Sequence, residues 1–80
     1  MFKINKKMML CAAVGGDIED YKAMIQTNFI TLRCPHVERE NNIVSSTIIN
    51  LRQLYYDGEL IGYAGRCERC GKIYYKGATS

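Results

Sequence analysis

The chemistry of this chain is densest at Cys67-Glu68-Arg69-Cys70-Gly71. Two thiols with two residues between them can aim at one ion, while the backbone after the first turns its amides toward the sulfurs. Gly71 suits the tight turn just past the second sulfur, where a positive φ favours a residue without Cβ. Such a knuckle supplies half of a tetrahedral site. Cys34-Pro35-His36 is the best candidate for the other half, and residues 37–66 leave room for a hairpin to fold one against the other. Cys34, His36, Cys67 and Cys70 then make a complete Cys₃His set for a structural Zn²⁺. Cys11 is the rival to His36 as fourth ligand, although a lone cysteine more often serves as a small buried hydrophobe.

Reactive alternatives fit less well. A redox Cys-x-x-Cys should open a helix after a strand, whereas Gly71 and the β-rich Lys72-Ile73-Tyr74-Tyr75-Lys76 follow this one. A catalytic zinc keeps an open position, and four nitrogen and sulfur donors close it. Cys34 and His36 could pair as nucleophile and base, but no third group is evident to orient them. Gly15-Gly16 lacks the lysine and the longer glycine pattern of a phosphate loop. The expectation is a protein that is not an enzyme.

Cys34-Pro35-His36 together with Cys67-Glu68-Arg69-Cys70-Gly71-Lys72-Ile73-Tyr74 resembles the zinc-ribbon and treble-clef modules, over residues 29–76. The resemblance implies a structural zinc held between two knuckles that β-hairpins carry. The usual first knuckle is Cys-Pro-x-Cys. Here Val37 occupies its second cysteine position, and His36 stands one residue early.

A metal staple also suits the bulk properties. At 80 residues the chain reads as one domain, close to the size at which burial alone stabilises poorly. An apolar fraction of 48% speaks against disorder, and a net charge of +3 permits nucleic-acid contact without demanding it. Lys3, Lys6 and Lys7 ahead of Met8–Val14 imitate a secretory leader, but the apolar run is short and no clean cleavage site follows. A reducing cytoplasm is expected, and with it a metal rather than disulfides.

The elements that must position these thiols read as α+β. Residues 2–14 alternate apolar and polar, which predicts a strand. Asp17 can cap a helix over 17–26, with Ile18, Tyr21, Met24 and Ile25 on one stripe. Together these form a strand-helix unit, 1–28, ahead of the knuckle unit. Further strands are expected near 29–34, 43–49, 51–56, 59–64 and 72–76, with a polar loop at 38–42 and a hairpin turn at Asp57-Gly58.

Tyr55-Tyr56, Tyr63 and Tyr74-Tyr75 fall on strands around the knuckle, close to basic residues. Arg52, Tyr56, Tyr63, Arg66, Arg69, Lys72, Tyr75 and Lys76 are the candidate binding surface. Aromatics among cations can stack single-stranded nucleic acid, and they equally make a protein interface. Two functions follow. One is a structural-zinc regulator that binds nucleic acid or the transcription or translation machinery. The other is a protein-binding inhibitor or adaptor in which zinc only stabilises the fold. No small-molecule substrate or membrane contact is evident.

Overall fold

A computed structural model describes residues 5–78, with the side chains of residues 36–38 outside the description. The elements in order are α1 (Lys6–Ala13), α2 (Ile18–Lys22), β1 (Ile25–Gln26), β2 (Thr31–Glu40), β3 (Ile43–Asn50), β4 (Arg52–Tyr56), β5 (Glu59–Arg66) and β6 (Ile73–Gly77). The strands form a four-stranded sheet of order β1-β6-β5-β4 and a separate β2-β3 ribbon. The α+β reading holds, with most of the regular structure in strands.

The strand expected over 2–14 is instead helical from Lys6 to Ala13, and residues 2–4 lie outside the described residues. Local propensity explains the correction. Lys6-Lys7-Met8-Met9-Leu10-Cys11-Ala12-Ala13 contains no β-branched residue, and Lys, Met, Leu and Ala are strong helix formers. The Asn5 side chain caps the helix by accepting from Met8 N–H at 2.9 Å. The helix buries Leu10 and Cys11 and leaves Ala12 and Ala13 exposed, so the apparent alternation did not mark a buried face.

The second helix starts where expected but is only five residues long. Asp17 Oδ1 accepts from the N–H groups of Glu19 and Asp20, each at 3.0 Å, and Asp20 Oδ2 accepts from Asp17 N–H at 3.0 Å. This closed box makes the start sharp. The helix ends early because the chain turns extended to lay Ile25 and Gln26 parallel to Tyr74 and Tyr75. Ile18 is consequently exposed, while Met24 is buried and Tyr21 packs at the core edge.

The ribbon is longer than expected. β2 runs through the polar segment read as a loop and turns only at Asn41-Asn42, with φ of 50° and 67°. Asparagine tolerates this left-handed geometry, which a two-residue hairpin turn requires. From Arg39 to Ser45 every residue is exposed, so polar residues carry no penalty there. The molecule is accordingly elongated, 53 Å along its longest axis. Asp57-Gly58 turns β4 into β5 as expected, at φ of 52° and 78°.

The four-stranded sheet is covered on both faces. On one, α1 and the segment after α2 pack Leu10, Cys11 and Met24 against Ile61, Ala64 and Ile73. On the other, the base of the ribbon brings Cys34, Ile49 and Leu51 onto Cys67 and Tyr74. Gly65 permits the second contact. A Cβ there would stand 2.8 Å from Asn50 O and 3.0 Å from Leu51 Cδ2.

Candidate metal centre

Cys67 and Cys70 sit in the connection from β5 to β6. Cys67 N–H donates to Lys72 O and Gly71 N–H donates to Cys67 O, both at 2.9 Å. Gly71 takes φ of 76°, the left-handed geometry expected just past the second thiol. The turn also aims the Cys70 and Arg69 N–H groups at the Cys67 sulfur. Led by the Cys70 amide, and against burial, these contacts and those with the Cys70 and Cys34 thiols pull the Cys67 thiol down to about 7. Its thiolate is therefore available near neutral pH, as a metal ligand requires.

Cys34 arrives from β2. The β2-β3 register shifts between Arg33 and Val37, around Pro35, which has no N–H to give to the ladder. Cys34 is buried at this irregularity, and its sulfur lies 3.3 Å from Cys70 Sγ. The sulfurs of Cys34, Cys67 and Cys70 all fall within 4.8 Å of one another, and none of the three is in a disulfide. Sulfurs bound to one tetrahedral zinc at about 2.3 Å would stand roughly 3.8 Å apart. The donor chemistry and the spacing of the cluster both suit such an ion.

His36 lies two residues beyond Cys34 on β2, and its side chain is outside the described residues. Cys11 does not join the cluster. It is buried on the helix-covered face, where its thiol donates to Asp17 O at 3.5 Å. Burial, and then the Asp20 and Asp17 charges, push this thiol up, which keeps it protonated.

In the three comparisons with known proteins, no family, no curated protein and no solved structure matches the chain. The zinc-ribbon likeness therefore stays with the three clustered cysteines and the turn around them. No helix among the described residues is long and apolar enough to cross a membrane.

The candidate surface residues are distributed over several places. Arg52, Arg66 and Arg69 line one groove of about 760 Å³ that also contains the Cys67–Gly71 turn, with Glu68 as its one acidic residue. Arg66 Nη1 additionally donates to Gly15 O at 3.4 Å. Tyr75 and Lys76 border a second groove of about 780 Å³ together with Lys6 and Lys7. There the Lys7 ammonium lies 5.0 Å from the Tyr75 ring and 5.9 Å from the Tyr21 ring. Tyr63 packs against the cysteine-side core, with the Lys76 ammonium 5.7 Å from its ring. Tyr56 is exposed at the β4-β5 turn beside Tyr55, and Lys72 is exposed after the knuckle. Adjacent residues on a strand point to opposite faces, which on a half-covered sheet would put one ring of each tyrosine pair in the core and the other in solvent. Tyr74 and Tyr75 instead pack on the two faces of a sheet covered on both sides, and Tyr55 and Tyr56 are both exposed.

Two features escaped the sequence reading. Lys6 and Lys7 join Tyr75 and Lys76 only because their segment is a helix, which its composition signalled. Tyr74 is 2% exposed, within the same cluster as Cys34 and Cys67, and its hydroxyl has no hydrogen-bond partner among the described residues. Nothing in the sequence separated its role from that of Tyr75.

Proposed function

We propose that this chain is a small cytoplasmic regulator whose fold is stapled by Zn²⁺ on Cys34, His36, Cys67 and Cys70, and which binds single-stranded nucleic acid. The clustering of three thiols supports the metal, because thiolate-rich sets in a reducing compartment favour zinc. The observation that carries the binding reading is the convergence of Arg52, Arg66 and Arg69 on one groove beside the knuckle. Guanidinium groups hold phosphate oxygens in bidentate pairs. Tyr75 with Lys6, Lys7 and Lys76 adds a second basic face with an aromatic ring. Four closed donors leave the metal no substrate position, so its role in this reading is structural.

The test is titration of a labelled mixed-sequence single-stranded oligonucleotide with the zinc-loaded protein at several salt concentrations. Binding at low salt that weakens linearly in log salt is expected. No retention at low salt contradicts the reading.

A protein-binding adaptor is the second reading. The ribbon favours it, since Ile43, Val44 and Ile48 are exposed there, and Phe29 and Ile30 are exposed just before it. Capture of one stoichiometric protein by the wild type, lost in Ile43→Asp, would replace the nucleic-acid reading with this one.

A further inference from the structure

A buried hydroxyl without a partner is costly, and native proteins rarely keep one. Tyr74 is such a case, enclosed with Cys34 and Cys67 between the ribbon and the sheet. We propose that the Tyr74 hydroxyl is a positioning donor for the metal centre, giving its hydrogen bond to a metal-held thiolate of Cys34 or Cys67. This rests on the metal reading and adds to it a residue outside the ligand set.

Three physical points support the assignment. The tyrosine ring is fixed by packing and by strand pairing, since Tyr74 lies opposite Gly65 on β5 and Ile25 on β1. Its hydroxyl therefore cannot swing out to water without opening the core. A phenol O–H is a hydrogen-bond donor, and a thiolate is an acceptor. The Tyr74 hydroxyl is buried in the same cluster as Cys34 and Cys67, so the protein group it has closest to hand as an acceptor is sulfur. Finally, a thiolate that binds one metal ion retains lone pairs, and partners outside the ligand set commonly tune such ligands. Metal binding fixes these sulfurs as thiolates, which accept a hydrogen bond more strongly than protonated thiols. The contribution of Tyr74 should thus depend on the metal.

The experiment compares wild type with Tyr74→Phe, which keeps the ring volume, and uses Tyr75→Phe as a control on the opposite face. Co²⁺ titration reads affinity and the thiolate-to-metal charge-transfer band, and Zn²⁺ competition gives the zinc affinity. The expected result is a weakening of metal binding by about 10- to 100-fold in Tyr74→Phe, with a shifted charge-transfer band and no change in Tyr75→Phe. Equal affinity and an unshifted band in Tyr74→Phe overturn the proposal while leaving the metal reading intact. A wild type that takes up no metal overturns both.

Should Tyr74→Phe fail to fold, the wild type loaded with NMR-active cadmium provides the readout. A slowly exchanging Tyr74 hydroxyl proton with scalar coupling to cadmium is expected, and a rapidly exchanging, uncoupled one contradicts the assignment.

Discussion

Cys34 and Cys70 bring their sulfurs to 3.3 Å although they are 36 positions apart in the chain. Cys34 belongs to the ribbon and Cys70 to the turn between β5 and β6, so this contact ties the two sheets together. Among the described residues, the base of the ribbon also packs on the four-stranded sheet through Ile49, Leu51 and their neighbours. A metal ion on these thiols would act at this joint between ribbon and sheet.

Removing a cysteine or the metal should therefore unfold the chain rather than loosen one loop. Structural zinc contributes about 10–16 kcal/mol to small zinc-binding peptides, as much as or more than the roughly 5–15 kcal/mol by which whole domains are stable. Cys67→Ser is expected to have no cooperative thermal transition at physiological temperature. Addition of a strong chelator to the wild type should give the same circular-dichroism spectrum. A cooperative melt in either sample contradicts this.

Gly65 lets the ribbon base approach β5. In Gly65→Ala the added methyl would meet Asn50 O at 2.8 Å, a backbone atom that cannot move aside cheaply. Overpacking of this kind costs about 1–3 kcal/mol, and melting should fall by roughly 4–8 °C for each of these. Gly77→Ala, where an added Cβ meets nothing within 4 Å, is the comparison and should change the melting temperature far less.

Asp17 gives a pH-dependent prediction. The N–H of Asp20 first, then that of Glu19, together with the Asp20 side chain and the Arg66 charge, hold its carboxyl below the ordinary carboxylate value. A folded-state pKa lowered in this way stabilises the protein above the unfolded value of about 3.9. That stabilisation is lost as pH falls through the folded value. Asp17→Ala should melt lower than wild type near neutral pH, and the gap should close in acid. A gap independent of pH would show that the cap acts without its charge.

How far the sequence revealed this arrangement depended on the local signal at each point. Asp57-Gly58 was legible because few dipeptides accept two positive φ values, and Asn41-Asn42 carries the same property but was hidden inside a polar run. Val44, Ile48 and Leu51 have helical spacing, but the β-branched residues of Ile43–Asn50 favour a strand, and a strand forms there. The opposite error occurred at Lys6–Ala13, where an alternation of apolar residues outweighed a composition made for helix. Cys34, Cys67 and Cys70 were found together because ligand spacing is set by the size of an ion, whatever the surrounding topology. The division of the basic residues between two grooves was not legible. It depends on which sheet face each strand buries, and both faces are covered.

The groove arginines should act additively in binding. Arg52→Ala and Arg69→Ala are each expected to weaken single-stranded oligonucleotide binding and to reduce the salt slope by about 0.7, as for one lost phosphate contact. Arg66→Ala would in addition remove the bond from Arg66 to Gly15 O. Unchanged affinity in the double variant, measured by fluorescence anisotropy, would remove this groove from the binding surface.

The central claim is the metal, and elemental analysis of the purified protein tests it most directly. About one zinc per chain is predicted for the wild type and for Cys11→Ser, whose sulfur lies in the helix-side core. Zinc should be lost in Cys34→Ser and Cys67→Ser and weakened in His36→Ala. Absence of zinc from the wild type, or its loss in Cys11→Ser alone, contradicts the account.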